Sequence, residues 1–145
     1  MLSYRLKNIL IEKINKSDWW HVVPADPDAY KKRGKFLTST YLQASFYGKP
    51  QNTPEKVLIK NPLCGNSESE ILKKLFPVNH REFYKQVLDD ERDGWYKRRI
   101  ALDSKISKTA KIKGYDAVAL LGSNGKNSLK KNCKPRSIEL NLLYS

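Results

Sequence analysis

The chain has 145 residues, of which 39% are hydrophobic, and a formal net charge of +13. This length and hydrophobic content suit one compact core, so we expect a single domain over residues 1–145. No run approaches the roughly 18 apolar residues that span a bilayer, and the first eight residues lack the apolar core of a secretory signal. We therefore expect a cytoplasmic protein with no membrane partner. The positive charge favours polyanionic partners such as nucleic acid or nucleotides.

The two cysteines indicate neither a metal site nor a disulfide framework. Cys64 and Cys133 lie far apart, without CxxC spacing or a nearby histidine pair. Zinc sites and disulfide-rich folds need closer or more numerous cysteines. We expect no metal and a reducing compartment.

Hydrophobic periodicity and turn residues predict a mixture of helices and strands. In the first half they predict an amphipathic helix within residues 1–16, a strand over 18–23, a strand over 35–40, a helix over 41–47 and a buried strand over 56–60. In the second half they predict helices starting at Ser67 and Asn79, a basic helix over 95–113, a buried strand over 117–121 and a strand over 137–143. These elements do not alternate regularly, so we predict the α+β class.

The last strand places one acidic side chain away from the core. Ile138, Leu140 and Leu142 alternate with Glu139 and Asn141. Since successive side chains of a strand point to opposite faces, the apolar residues face the core and Glu139 faces away from it.

Four segments, in this order, resemble the ADP-ribosyltransferase superfamily, in particular its His-Tyr-Glu branch, which includes the poly-ADP-ribose polymerases and diphtheria-type toxins. They are Trp20-His21-Val22-Val23, Gly34-Lys35-Phe36-Leu37-Thr38 followed by Ala44 and Tyr47-Gly48, Lys113-Gly114-Tyr115-Asp116-Ala117-Val118, and Ser137-Ile138-Glu139-Leu140. Residues 57–63 also resemble the strand-Asn-Pro-Leu segment of several bacterial members. The likeness rests on the order and spacing of the segments and covers most of residues 19–143.

The resemblance implies a split mixed β-sheet with flanking helices and a cleft that binds NAD⁺ as co-substrate. It implies that His21 and Glu139 face this cleft together. Glu139 is then the catalytic carboxylate, beside the positive charge that develops on the ribose. His21, Phe36, Thr38 and Tyr47 are the implied NAD-binding residues, with the Phe36 and Tyr47 rings suited to stack on nicotinamide.

Two departures from the pattern leave alternatives open. Phe36 stands where the branch has its tyrosine, and it cannot donate a hydrogen bond. Thr38-Ser39-Thr40 also resembles the Ser-Thr-Ser stretch of the arginine-Ser-Glu branch, in which Arg5 would take the place of His21. Two residues before Glu139, arginine- or asparagine-modifying members have glutamate or glutamine. This chain has Ser137 there.

A basic segment before Glu139 suggests the acceptor. We predict that this segment, with Lys126, Lys130, Lys131, Lys134 and Arg136, contacts the substrate, because it would attract a phosphate backbone. The resulting hypothesis is a mono-ADP-ribosyltransferase of the toxin or effector type. Its acceptor would be nucleic acid or a nucleic-acid-associated protein, and an antitoxin or immunity protein is a possible partner.

Two other hypotheses remain at this point. One is a catalytically inactive ADP-ribosyltransferase-like module that binds nucleic acid or a partner, which Phe36 favours. The other is a basic nucleic-acid-binding protein in which Trp19, Trp20, Tyr41 and Tyr47 stack on bases.

Overall fold

The computed structural model describes residues 3–24, 33–88, 95–122 and 137–143. Within them lie helices α1 (Tyr4–Lys16), α2 (Tyr41–Ser45), α3 (Glu68–Leu75), α4 (His80–Leu88) and α5 (Trp95–Ile112). The strands are β1 (Trp20–His21), β2 (Lys35–Thr38), β3 (Pro62–Gly65), β4 (Ala117–Leu120) and β5 (Glu139–Leu142). The predicted α+β class is confirmed, as a small single domain with a mixed five-stranded sheet.

The five strands form one continuous sheet in the order β1-β2-β5-β4-β3. All neighbours are antiparallel except β3 and β4, which are parallel. The last strand in the chain therefore lies in the middle and pairs with both β2 and β4. The split of the sheet implied by the resemblance is not seen among these strands, because β5 joins the two sides.

One face of the sheet is closed by α1. Leu10 and Ile14 of this helix pack on Leu37, Ala119 and Leu140, one residue from each of the three central strands. Trp19 is fully buried in the same cluster, and its indole Nε1 donates to the Ile14 carbonyl over 2.8 Å. The predicted N-terminal helix is thus confirmed, and its buried residues Leu10 and Ile14 belong to the core on this face.

The opposite face is covered over β3 and β4 by α3 and α5. Leu63 and Val118 of these strands pack against Ile71 of α3 and against Leu102 and Ile106 of α5. At the start of α3 the Ser67 hydroxyl accepts from the Glu70 amide at 3.2 Å, as predicted for a helix N-cap. These helices cover one side of the sheet face and leave the β2–β5 side of it partly open.

The strand predicted over residues 56–60 is wrong. Val57 and Ile59 are buried in the core, but the strand in this region is β3, which begins later, at Pro62. The Asn15 side chain bonds both the amide and the carbonyl of Ile59, at 2.8 and 3.0 Å. The Asp116 carboxylate accepts from the next two amides, those of Lys60 and Asn61. Because side chains satisfy this backbone, it does not pair with a strand.

The thiol of Cys64 lies in the α1 core. Burial raises its pKa to about 11, so the thiol stays protonated and unreactive at neutral pH. Cys133 lies outside the described residues.

Among the described residues no group of three His, Cys, Asp or Glu side chains is placed to hold a metal ion. None of the described helices is long and apolar enough to cross a membrane.

Gly34 lies just before β2, where the backbone passes very close to the end of β5. Its φ of +84° lies in the left-handed region, and a methyl group there would lie 2.2 Å from Asn141 Oδ1 and 2.6 Å from the Leu142 carbonyl oxygen. Gly114, after α5, has a similar φ of +91° but open space around it. The two glycines share the conformational requirement and differ in the space available.

We expect Gly34→Ala to destabilise the fold more than Gly114→Ala. Both variants incur the left-handed backbone cost of about 1–2 kcal/mol, but only Gly34→Ala also forces apart two paired strands. The additional loss should be of the order of 2 kcal/mol, as for overpacking of a filled site. Urea unfolding followed by circular dichroism measures both. Equal losses in the two variants would show that the close approach at Gly34 is unimportant.

Candidate active site

The pairing register sorts the predicted site residues between the two faces of the sheet. Thr38 lies directly opposite Glu139 on one side and Trp20 on the other. Residues directly opposite each other in a ladder share a face. Trp20, Thr38 and Glu139 therefore share the partly open face. His21 pairs with Leu37, which pairs with Leu140, so these three lie on the α1 face.

The implied placement of His21 beside Glu139 is therefore wrong in this structure. The His21 side chain is buried, and its Nδ1 lies 2.8 Å from the Phe36 carbonyl oxygen, within hydrogen-bonding distance. Strand alternation explains the difference: β1 is registered so that Trp20, not His21, shares the face of Glu139. The alternative residue Arg5 lies in helix α1 rather than on a strand.

Glu139 is held by the side chain of Tyr47. The Tyr47 hydroxyl donates to Glu139 Oε1 over 2.5 Å. Tyr47 follows α2, whose N-cap Thr40 accepts from the Gln43 amide at 3.1 Å, and the Tyr47 amide bonds the Ala44 carbonyl at 3.0 Å. This turn presents the ring beside β5, with 65% of the Tyr47 residue still exposed to solvent.

The Tyr47 hydroxyl keeps its proton. Burial raises the pKa of Tyr47, and the hydrogen bond to Glu139 and the negative charge of Glu139 raise it further. Tyr47 is therefore a donor to Glu139, not a general base. A ligand hydroxyl that donates to the same oxygen, Glu139 Oε1, would compete with this bond.

A cavity of about 50 Å³ lies next to Glu139, between the sheet and α5. Its apolar lining residues are Ile71, Ile106, Val118, Leu120 and Leu140. Its remaining lining residues are one aromatic and five polar or charged ones: Phe36, Glu68, Arg99, Asp103, Glu139 and Asn141. Apolar lining residues with a few convergent polar groups are typical of small-molecule sites.

The polar side of the cavity is a network of four charges. Asp103, only 3% exposed, accepts from Arg33 at 2.6 and 2.9 Å and pairs with Arg99 at 2.8 Å. Arg99 also pairs with Glu68 at 2.6 Å. Burial alone would lower the pKa of Arg99, but Asp103 and Glu68 raise it, so the guanidinium stays charged.

This network connects separate parts of the chain around the cavity. Arg33 precedes β2, Glu68 starts α3, and Arg99 and Asp103 lie one turn apart on α5. The side-chain Nδ2 of Asn141 in β5 donates to the Arg33 carbonyl over 2.8 Å, and the Arg33 guanidinium lies 5.4 Å from the Phe36 ring centre. The four charges thereby fix α5 against the open half of the sheet.

Four of the predicted residues are brought together, and several are not. Glu139, Phe36, Thr38 and Tyr47 share this end of the sheet face. Thr38 is buried, and its hydroxyl donates to the Thr40 carbonyl at 3.0 Å, so it supports the turn into α2. The substrate-binding predictions, Lys126, Lys130, Lys131, Lys134 and Arg136, lie outside the described residues.

The charged network was not predicted from the sequence. Arg99 and Asp103 have helical i,i+4 spacing, which usually marks an exposed ion pair. The signal that distinguishes them is the position of Asp103 between Leu102 and Ile106 on the buried stripe of α5, where an acidic residue needs a partner. Trp19, predicted to stack on bases, is a core residue instead.

No protein-family model, curated protein or solved structure matches the chain. A functional assignment therefore depends on the residues of this cleft and on the resemblance of its motifs.

We expect Asp103→Asn to destabilise the protein by about 3 kcal/mol, because it leaves two arginines without their shared buried partner. Thermal or urea unfolding measures the loss. The matched control is Glu12→Gln, which removes the solvent-exposed i,i+4 pair between Glu12 and Lys16. The control should change little. If both substitutions behave alike, the network does not hold α5 in place.

Proposed function

We propose that the chain is an NAD-dependent mono-ADP-ribosyltransferase whose reaction takes place at Glu139. The observation that carries the proposal is that Glu139 projects from the central strand into the lining of the cavity and is held there by Tyr47. Phe36 lines the same cavity, and Thr38 lies directly opposite Glu139 in the strand pairing. These are four of the five residues that the family pattern implies.

The proposed reaction exchanges one bond at the ribose carbon C1′. The C1′–N bond of NAD⁺ breaks, and its electron pair stays on the nitrogen, so nicotinamide leaves as a neutral molecule. A nucleophile of the acceptor then bonds to C1′ and loses its proton. Positive charge develops on the ribose between these events, and a nearby carboxylate stabilises it. Glu139 supplies that carboxylate, and it also accepts a hydrogen bond from a ribose hydroxyl.

The cavity must enlarge for this substrate to bind. A cavity that holds benzene has a volume of about 150 Å³, whereas the cavity beside Glu139 has about 50 Å³. Tyr47 is the residue that can move, because most of its surface is exposed and one hydrogen bond joins its hydroxyl to Glu139. We infer that NAD⁺ displaces the Tyr47 hydroxyl from Glu139, and that the Tyr47 and Phe36 rings then flank the nicotinamide.

The ADP-ribosyltransferase-like fold is part of the same proposal. Support for an ADP-ribosyltransferase-like core comes from β2 and β5 lying side by side, with α2 and Tyr47 directly after β2. Two features differ from the implied pattern: the sheet is continuous, and His21 lies on the other face. In this version of the site, Trp20 borders the cleft in place of His21.

The positive charge of the chain supports a polyanionic acceptor, namely nucleic acid or a protein associated with it. A toxin or effector role, with a matching antitoxin, remains part of the proposal. The second candidate, an inactive module, is favoured by Phe36 in the tyrosine position and by the burial of His21. Activity distinguishes the two candidates.

Glu139→Gln should abolish transfer while the fold persists. We expect the rate to fall by a factor of about 10²–10³, as when one electrostatic stabiliser of a transition state is lost. The measurement is incorporation of label from NAD⁺ carrying ³²P in its adenylate phosphate, using cell lysate, purified RNA and purified DNA as acceptors. Circular dichroism and the melting temperature establish that the variant is folded.

No incorporation by the folded wild-type protein, and no release of nicotinamide, would overturn the proposal and favour the inactive module. Incorporation that is equal in wild type and Glu139→Gln would remove Glu139 from the reaction.

The two functions of Tyr47 can be separated by substitution. Tyr47→Phe keeps the ring and removes the bond to Glu139, so the KM for NAD⁺ should stay the same or fall. Tyr47→Ala removes the ring as well, and the KM should rise roughly fivefold, in line with about 1 kcal/mol for an aromatic pair. Steady-state kinetics of nicotinamide release give both values. A large rise in KM for Tyr47→Phe would show that the hydroxyl itself binds the substrate.

A further inference from the structure

The segment that carries Tyr47 also exposes an aromatic surface on the protein exterior. We define the α2 aromatic surface as Tyr41, Phe46 and Tyr47, whose exposed fractions are 47%, 82% and 65%. Leu42 is exposed between them, and the Trp20 ring meets the Tyr41 ring edge to face at 5.2 Å. Large apolar side chains grouped in this way on a surface mark a binding site.

This surface borders the cleft. Tyr47 belongs to both, because its hydroxyl bonds Glu139. At the other end, Trp20 contacts Tyr41 and lies opposite Thr38, which in turn lies opposite Glu139. A molecule lying across the α2 aromatic surface therefore has a part within reach of Glu139.

The charge distribution favours a polyanion as the occupant. The chain carries a net charge of +13, and residues 36–54, which contain the whole α2 aromatic surface, include Lys49 but no aspartate or glutamate. Helix α5 brings Lys97 and Arg98 next to Arg99, a lining residue of the cavity. A protein partner rich in basic groups would be repelled by such a field.

Aromatic rings and positive charge together fit one class of polyanion best. We propose that the α2 aromatic surface binds single-stranded nucleic acid, with unpaired bases stacked on Tyr41 and Phe46. Stacking needs an exposed base face, which a single strand offers and a duplex conceals. That the bound strand is also the acceptor of ADP-ribose rests on the proposed function; the binding does not.

The test is fluorescence anisotropy with labelled single-stranded DNA and RNA oligonucleotides and a duplex of the same sequence, in the absence of NAD⁺. We expect single strands of one or both kinds to bind at least tenfold more tightly than the duplex, with an affinity that falls as salt rises. Phe46→Ala and Tyr41→Ala should each weaken binding at least fivefold. The control Val78→Ala shortens another exposed apolar side chain, which lies outside the α2 aromatic surface, and should bind as the wild type does.

Three results would overturn the inference: no binding of single strands at low salt, equal affinity for the duplex, or unchanged affinity in a folded Phe46→Ala variant. Adding ³²P-labelled NAD⁺ to the wild-type complex tests the acceptor separately. Label on the oligonucleotide supports both proposals. Binding without any transfer to the oligonucleotide or to lysate supports the nucleic-acid-binding surface and overturns the proposed function. Transfer without strand binding supports the proposed function and overturns the binding surface.

Discussion

Strand β5 is the constraint on which the rest of the structure depends. It lies in the middle of the sheet and pairs on both sides, so its register fixes β2 and β4 at once. Its alternation commits Ile138 and Leu140 to the core closed by α1 and turns Glu139 to the other face. A shift by one residue would bury the carboxylate and expose the core residues, so the hydrophobic core itself fixes the direction of Glu139.

On the second face of the sheet a cavity forms because helices α3 and α5 cover only part of that face. Helices α3 and α5 are apolar where they cover β3 and β4, and they become charged where they reach the β2–β5 side. There the buried Asp103 holds Arg33 and Arg99, while Arg99 holds Glu68. Buried ion pairs contribute little net stability compared with apolar packing, but they fix geometry when each charge has its partners. We interpret this network as the support that keeps the cavity open at Glu139.

Much of this arrangement follows from patterns that the sequence carries locally. The N-terminal amphipathic helix, the Ser67 cap and the alternation around Glu139 depend on neighbouring residues only, and the structure confirms each of them. Two kinds of feature were not predictable in this way. The face of His21 depends on the register between β1 and β2, which is a pairing between distant segments. The irregular backbone at Ile59 depends on Asn15, which lies 44 residues away.

The central claim, that the cleft beside Glu139 binds NAD⁺, is tested most directly by an NMR titration of the Glu139→Gln variant, which should bind the substrate without consuming it. NAD⁺ bound in this cleft should cause saturable shifts of the Phe36 and Tyr47 ring signals and of the amides of residues 36–38 and 139–141. The amides of the α1 core should change little. Shifts confined to other parts of the chain, or none at millimolar NAD⁺, would contradict the central claim.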